Sequence, residues 1–70
     1  MHIDVTFYDD GGHKYLRWVL LDGRQVTAHD QIDGLANEQD ALDQVRSVVQ
    51  NQIPTLPANT PIVAFRAQRV

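Results

Sequence analysis

Histidines that lie close to aspartates in residues 1–30 are the first residues whose types could support metal chemistry. The pairs are His2 with Asp4, His13 with Asp9 and Asp10, and His29 with Asp30. A zinc or nickel site needs three or four such ligands, held at bond lengths of about 2.0–2.2 Å. If strands one and three flank strand two, His2 and His29 lie toward the same end of the sheet, near Asp4. The spacing matches no local metal motif, so we expect solvated polar side chains and no bound metal or cofactor.

Carboxylates and hydroxyls offer little for catalysis. Adjacent Asp9 and Asp10 could act as an acid–base pair. Carboxylate pairs do so when a pocket makes the pKa values of the two groups different. Here they enter Gly11-Gly12, and a glycine-rich hairpin tip provides no pocket. Ser47 is the only serine and there is no cysteine, so a nucleophile with a neighbouring base is missing. The sequence therefore predicts no catalytic residues and no enzyme.

Aromatic and basic side chains suggest a binding surface instead. Tyr8, Tyr15 and Arg17 are predicted to face outward, where stacking on a ligand or a base is conceivable. Arg66, with Arg69, adds a basic edge near the C-terminus. The net charge is −3 and the basic residues are scattered, which argues against general affinity for nucleic acid. The possible binding face is therefore Tyr8, Tyr15, Arg17 and Arg66, with nucleic acid not expected and a small-molecule ligand unspecified.

Alternating polarity predicts three strands within residues 1–30. Residues 2–8 place Ile3, Val5 and Phe7 on one face, and Asp9 to Gly12 form a turn. Residues 14–21 point Leu16, Trp18 and Leu20 inward. Asp22-Gly23 then predicts a type I′ turn, and a third strand over 24–29 brings Val26 and Ala28 to the inner face. Residues 1–30 are thus predicted to be an antiparallel meander.

The second part of the chain predicts a helix and a final strand. Asn37 is a suitable N-cap for a helix over 37–52, whose apolar stripe is Ala41, Leu42, Val45, Val48 and Val49. Asp43 and Arg46 are spaced for an ion pair on its exposed side. Pro54, Pro57 and Pro61 end the helix and hold the connector extended. Residues 62–70 read as a strand in which Val63, Phe65 and Ala67 share one face, and we expect Val63 and Phe65 to supply part of the core.

These elements predict an α+β fold. It is a single domain, residues 1–70, built as a β-β-β-α-β unit with one helix packed on one face of an antiparallel sheet. A chain of 70 residues buries only about 60% of its unfolded surface. With no cysteine available for a disulfide, a partner chain is the leading way to enlarge the core. The last strand must then fold back or remain an edge that another chain can pair with.

Two stretches resemble a known family. "GLANEQDALDQVRSV" resembles the helix entry of the YegP-like proteins, which are small and functionally uncharacterised, and "FYDDGGHKYLRWVLLDGRQV" resembles their hairpin. The likeness covers residues 5–50. The positions that match in the helix entry are Gly34, Asn37, Ala41, Val45, Ser47 and Val48. Departures are Leu35 where the family prefers Tyr, Glu38 where it prefers Lys, and Gln44 where Gly is common.

The resemblance implies a β3-α-β unit that works in pairs, with the C-terminal strands exchanged between copies. A single copy of 70 residues would then be a homodimer. The proline-bearing connector suits such an exchange. The strand-exchange contacts expected from this arrangement are Ile62, Val63, Phe65 and Ala67. The family lends no catalytic residues.

The expected function is that of a non-enzymatic homodimeric domain, an interaction or structural module. The alternative is a ligand- or nucleic-acid-binding module that uses the outer sheet face. The start of the chain has neither the basic nor the apolar region of a secretory signal, and apolar stretches such as Trp18 to Leu21 are far too short to span a bilayer. We therefore expect a cytoplasmic protein with no membrane partner.

Overall fold

The computed structural model describes residues 1–67 and confirms the α+β fold. Its elements are β1 (His2–Asp10), β2 (His13–Asp22), β3 (Gln25–Ile32), α1 (Glu38–Gln52) and β4 (Ile62–Arg66). One sheet has the strand order β3-β2-β1-β4. β4 ends at Arg66, so the predicted strand is one residue too long at Ala67, and its further continuation over residues 68–70, which includes Arg69, lies outside the described residues.

The sheet is mixed, so the prediction of an antiparallel sheet is wrong for one pair. β1 pairs with β2, and β2 with β3, in the antiparallel sense, but β4 runs parallel to β1. The reason is the connection. β3 and β4 lie at opposite edges and are joined through α1, so the chain returns along the helix and enters β4 in the direction of β3. β1 runs in the same direction as β3, because both strands are antiparallel to β2.

The core lies between α1 and the inner face of β1 and β2. It consists of predicted inward residues of both strands, three residues of the helix stripe and two loop leucines: Ile3, Val5, Leu16, Trp18, Leu20, Leu35, Ala41, Val45, Val49 and Leu56. Leu42 and Val48 of the predicted stripe are half-buried and lie outside this core, and Phe7 is partly buried against it. Trp18 is the largest of these and is 0% exposed. Its indole Nε1 is buried without a hydrogen-bond partner in the described chain. Since an unpaired buried donor costs about 1–3 kcal/mol, apolar packing must outweigh that cost.

The two hairpin turns differ, which corrects one prediction. Gly11 and Gly12 both have positive φ, 58° and 94°, as a type I′ turn requires. In the second turn Asp22 pairs with Gln25, so Gly23 and Arg24 are the central residues. Gly23 has φ 64° but Arg24 does not have positive φ. That pattern belongs to a type II′ turn, which needs glycine only at its first central position.

A bulge in β3 overturns the prediction that Val26 faces the core. Leu20 lies opposite Ala28, but Leu21 lies opposite Val26, so Thr27 is an extra residue on β3. One extra residue moves every side chain before it to the other face. Ala28 therefore packs against the core, whereas Val26 is 51% exposed on the outer face.

The side chains of β4 also differ from the prediction. Register with β1 places Ile62, Ala64 and Arg66 opposite Ile3, Val5 and Phe7, on the inner face. Val63 and Phe65 therefore point outward and are 43% and 52% exposed, so they are not core residues. Only Ile62 of this strand packs against the core. Alternation along β4 was misleading, because the charged Arg66 shares the inner-face side with Ile62 and Ala64.

The connector between α1 and β4 is turned and anchored instead of extended. Nη1 of Arg46 donates hydrogen bonds to the carbonyl oxygens of Ala58 (2.7 Å) and Thr60 (3.2 Å). Thr60 is buried, and its hydroxyl donates to the Pro57 carbonyl at 2.6 Å. Arg46 is thus engaged with the connector, and the predicted ion pair with Asp43 is not among those of residues 1–67.

The helix begins and ends as its sequence predicts. The Asn37 side chain accepts a hydrogen bond from the Asp40 N–H at 2.8 Å, and Glu38 and Asp40 place negative charge in the first turn. The helix ends before Pro54, with Ile53 N–H donating to the Val49 carbonyl. No helix in the described residues is long and apolar enough to cross a membrane.

Two substitutions test which face of the sheet Leu16 and Val26 occupy, and therefore the position of the bulge. Leu16→Ala removes a fully buried side chain and should lower the free energy of unfolding by about 2–5 kcal/mol. Val26→Ala removes a mostly exposed one and should change it by less than about 0.5 kcal/mol. Urea unfolding followed by circular dichroism measures both. Comparable losses in the two variants would show that Val26 faces the core and that the bulge is misplaced.

Candidate functional site

The outer face of the sheet is the side opposite the helix. Its residues alternate with the core residues along β1 and β2, so Tyr8, Tyr15, Arg17 and Val19 lie on it, as predicted. This face carries the aromatic and basic side chains that could bind a partner.

Two tyrosines form a stack at one end of this face. Tyr8 on β1 lies directly opposite Tyr15 on β2. Their ring centroids are 4.8 Å apart and their planes differ by 5°. The Arg17 guanidinium lies over the Tyr8 ring at 5.5 Å from its centroid, and the His13 ring lies 4.9 Å from that of Tyr15, tilted by 32°. The order of planar groups is therefore guanidinium, phenol, phenol and imidazole.

Hydrogen bonds close this stack into a ring of side chains. Arg17 Nε donates to Gln31 Oε1 at 3.2 Å, and Gln31 Nε2 donates to Asp33 Oδ1 at 3.0 Å. The same Asp33 oxygen lies 3.1 Å from His13 Nε2. We call the set the outer-face cluster: Tyr8, His13, Tyr15, Arg17, Gln31 and Asp33.

The sequence predicted only part of this cluster. Tyr8, Tyr15 and Arg17 were expected together, whereas His13, Gln31 and Asp33 were not. Gln31 joins because it lies opposite Arg17, in a register that depends on the bulge at Thr27. The sequence signal for Gln31 was that a long polar residue lies opposite Arg17. That signal could be used only once the alignment of β3 with β2 was known.

The contacts of the tyrosines limit what the cluster can bind. Their ring faces already make stacking and cation–π contacts within the chain. A nucleic-acid base would therefore have to displace a side chain in order to stack between them. What the cluster offers to a partner without rearrangement is a flat rim of ring edges, phenol hydroxyls and polar side chains.

Arg66 lies apart from the outer-face cluster. It is opposite Phe7, on the inner-face side of the sheet. Its Nε donates to Glu38 Oε1 at 2.7 Å and its Nη2 lies 2.5 Å from the same oxygen. Both groups are largely solvent-exposed, so the pair is worth little for stability, but it neutralises Arg66 as a free cation. The four residues of the predicted binding face are thus split between two sides of the sheet.

The histidines are dispersed. His2 pairs with Asp4 on its own strand, Nε2 to Oδ1 3.1 Å. His29 lies opposite Val19 on β2, and Val19 lies opposite Asp4, so a whole strand separates His29 from Asp4. Two strand spacings amount to about 9.5 Å, which is too far for a shared metal. Within residues 1–67 no group of three or more His, Asp or Glu side chains could hold a metal ion.

An open cleft of about 950 Å³ lies where the first hairpin approaches the start of the helix. Its lining residues are Phe7, Tyr8, Asp9, Asp10, Gly11, Gly12, Lys14, Tyr15, Asn37, Glu38, Arg66 and Ala67. Several of its polar groups are already paired. Arg66 is paired with Glu38, Asn37 caps the helix, and Asp9 accepts from Gly12 N–H at 3.3 Å. The cleft therefore assembles no acid–base set among the residues that line it.

Comparison of the chain with protein-family models, curated proteins and solved structures gave no match. The resemblance to the YegP-like proteins therefore stays a prediction from sequence.

The tyrosine stack can be tested as a cross-strand interaction. Tyr8→Leu and Tyr15→Leu each remove one ring, and their combination should show a coupling energy of about 0.5–1.5 kcal/mol in a double-mutant cycle. Urea unfolding of the wild type and three variants measures it. As a control, Tyr8→Leu combined with Val26→Ala should be additive, since Val26 lies on the far edge strand. Additivity in the tyrosine cycle would contradict the stack.

Proposed function

We propose that this protein is a non-enzymatic interaction module that acts as a homodimer. The observation that carries the proposal is the exposure of two large apolar side chains on an edge strand. Val63 and Phe65 are 43% and 52% exposed on β4, which has a neighbouring strand on one side only. Apolar side chains gathered at an exposed strand edge are a common sign of association with another chain.

The layered shape supports the proposal. Residues 1–67 measure 36 × 22 × 16 Å, and the thin dimension fits one helix over one sheet. The helix covers the inner face, so the core is confined to that side, and Val19 and Leu21 on the outer face are only half-buried. A chain of this size gains little from its own core. A second copy would bury additional apolar surface at no cost in chain length.

The contacts proposed for the dimer are those expected from the sequence: Ile62, Val63, Phe65 and Ala67. Exchange of β4 between chains would use the same β1–β4 pairing, with the two strands supplied by different copies. In the described chain β4 pairs with β1 of its own copy. The proposal of a homodimer holds whether β4 pairs with β1 of its own copy or with β1 of the other copy. It keeps the cytoplasmic location and the absence of a membrane partner expected from the sequence.

The oligomeric state tests the proposal. Light scattering coupled to size-exclusion chromatography should give twice the chain mass of 7.9 kDa, falling toward that value on dilution. Phe65→Asp should raise the dissociation constant at least about tenfold, because a desolvated unpaired charge costs more than 1.4 kcal/mol.

Val26→Asp is the matched control, since Val26 is 51% exposed on the opposite edge strand. It should leave the dimer intact. A wild type that remains monomeric at every concentration would end the proposal.

The second candidate is a ligand- or nucleic-acid-binding module on the outer sheet face. It is favoured by one observation, the meeting of Tyr8, Tyr15 and Arg17 in the outer-face cluster. Two observations oppose it: the ring faces are already in contact within the chain, and Arg66 is paired with Glu38 on the other side. The net charge of −3 gives no general attraction for phosphates.

Oligonucleotide titration separates the two candidates. Fluorescence anisotropy with single-stranded DNA and RNA at low salt should show no binding, because no basic surface neutralises the backbone. Salt-dependent binding that is lost in the Arg17→Ala, Arg66→Ala double variant would establish the second candidate instead. The double variant also provides the specificity control for any weak signal.

A further inference from the structure

The two edges of the sheet are protected very differently. β3 carries the bulge at Thr27 and the polar pair His29-Asp30, features that discourage pairing with another strand. β4 has the sequence IVAFR, with only its last residue charged, and its register with β1 is unbroken. Only the β4 edge therefore presents a regular strand that another chain can extend.

The hydrogen bonds of β4 identify the backbone groups on its outer edge. The Pro61 carbonyl accepts from Ile3 N–H at 2.9 Å, and Ala67 N–H donates to the Phe7 carbonyl at 2.8 Å. Both residues therefore direct their backbone groups toward β1. Because this direction alternates along a strand, Val63 and Phe65 do the same, while Ile62, Ala64 and Arg66 point their N–H and C=O groups away from the sheet.

We propose that two copies of this chain pair their β4 edges in antiparallel fashion, about a two-fold axis that passes through Ala64. The proposal rests on the homodimer proposed above and specifies its interface. Each copy keeps β4 in its own sheet, and the two sheets join into one with the order β3-β2-β1-β4-β4-β1-β2-β3.

This register is self-complementary in hydrogen bonding. Ala64 lies opposite Ala64 of the partner subunit, and Ile62 lies opposite Arg66 of the partner subunit. These residues have outward-pointing backbone groups, so each becomes a hydrogen-bonded pair. The same patch serves both copies, as a two-fold interface requires.

The register also covers the exposed apolar side chains. Val63 lies opposite Phe65 of the partner subunit, and the relation is repeated by symmetry. Both are non-hydrogen-bonded pairs, in which the Cα atoms are about 4.5 Å apart and the side chains make their closest cross-strand contacts. The surface that is 43% and 52% exposed in one copy thus becomes the centre of the interface.

Charge is compatible with this arrangement. Arg66 is the only charged residue of β4, and it faces an isoleucine of the other copy. The two arginines lie four residues apart along the paired strands, or about 13 Å, so they do not repel at contact distance. Each also remains beside its own Glu38.

The buried area predicts a weak dimer. A strand of five residues is about 17 Å long, so pairing at this length makes an interface that is small beside the roughly 1,200–2,000 Å² of stable specific association. We therefore expect a dissociation constant on the order of micromolar. The anchored connector keeps β4 in its own sheet, since Arg46 holds the carbonyls of Ala58 and Thr60.

A single introduced cysteine tests the two-fold position. The chain has no cysteine, so Ala64→Cys supplies the only thiol. A hydrogen-bonded antiparallel pair has a Cα separation of about 5.5 Å, within the range for a disulfide. Under mild oxidation of the full chain, Ala64→Cys should form a covalent dimer at least about tenfold faster than the control Ser47→Cys, whose side chain is exposed on the helix. Equal rates would overturn the edge pairing.

Proline at the same position tests the backbone. Ala64→Pro removes the outward N–H and leaves the groups that bond β1 in place, so it should raise the dissociation constant at least about tenfold. Ala64→Ser keeps the N–H and should change it less than about twofold. Circular dichroism of both variants confirms that they fold. A folded Ala64→Pro that dimerises like the wild type would also overturn the edge pairing.

Paired cysteines test whether β4 is exchanged. Asp4 and Val63 are partners on neighbouring strands, so Asp4→Cys with Val63→Cys should form a disulfide within one chain. A disulfide between chains would show exchange and overturn this arrangement while leaving the homodimer in place. A wild type that is monomeric throughout would overturn both proposals. The failure of the interface and the failure of the dimer are therefore distinguishable.

Discussion

One 15-residue helix has to cover a four-stranded sheet, and it has a single apolar stripe with which to do so. Ala41, Val45 and Val49 are the buried residues of that stripe, and they cover the inner face of the two central strands. That is enough to bury Trp18 and its neighbours, but most of β4 stays exposed on both faces. The outer face and the β4 edge are open as a consequence, and the contacts proposed for a dimer lie at that edge.

The sequence predicted the parts of the fold that depend on local pattern. The structure confirms the alternation in β1 and β2, the N-cap at Asn37 and three residues of the predicted stripe of α1, namely Ala41, Val45 and Val49. The errors concern features that depend on distant pairing. Val26 is turned outward by one extra residue in β3, and Val63 is turned outward by the register of β4 with β1. In β3 the bulge changes the phase of alternation part-way along the strand, and in β4 the charged Arg66 lies on the inner-face side, so the pattern of polar residues indicated the wrong face in both cases.

The candidate site shows the same division between local and distant information. Alternation alone placed Tyr8, Tyr15 and Arg17 on one face, because the apolar residues of β1 and β2 show which side of each strand faces the core. The hydrogen bonds of Gln31 and Asp33 depend on how β3 is aligned with β2, and therefore on the bulge. The pairing of Arg66 with Glu38 joins the end of the last strand to the start of the helix, 28 residues apart in sequence. No periodicity could reveal that contact.

The crossover that makes β4 parallel to β1 also determines which edge is vulnerable. A hairpin would have placed the last strand beside β3, where a bulge and the polar residues His29 and Asp30 already interrupt pairing. The helix instead carries the chain to the other edge, beside β1, and the strand that arrives there is short, regular and apolar. An isolated edge of this kind invites irregular association unless a defined partner covers it. The two-fold pairing proposed above would cover both β4 edges at once, because each copy would supply the strand that the other lacks. The small core and the unprotected edge therefore point to the same proposal, in which a second copy covers the surface that one helix leaves open.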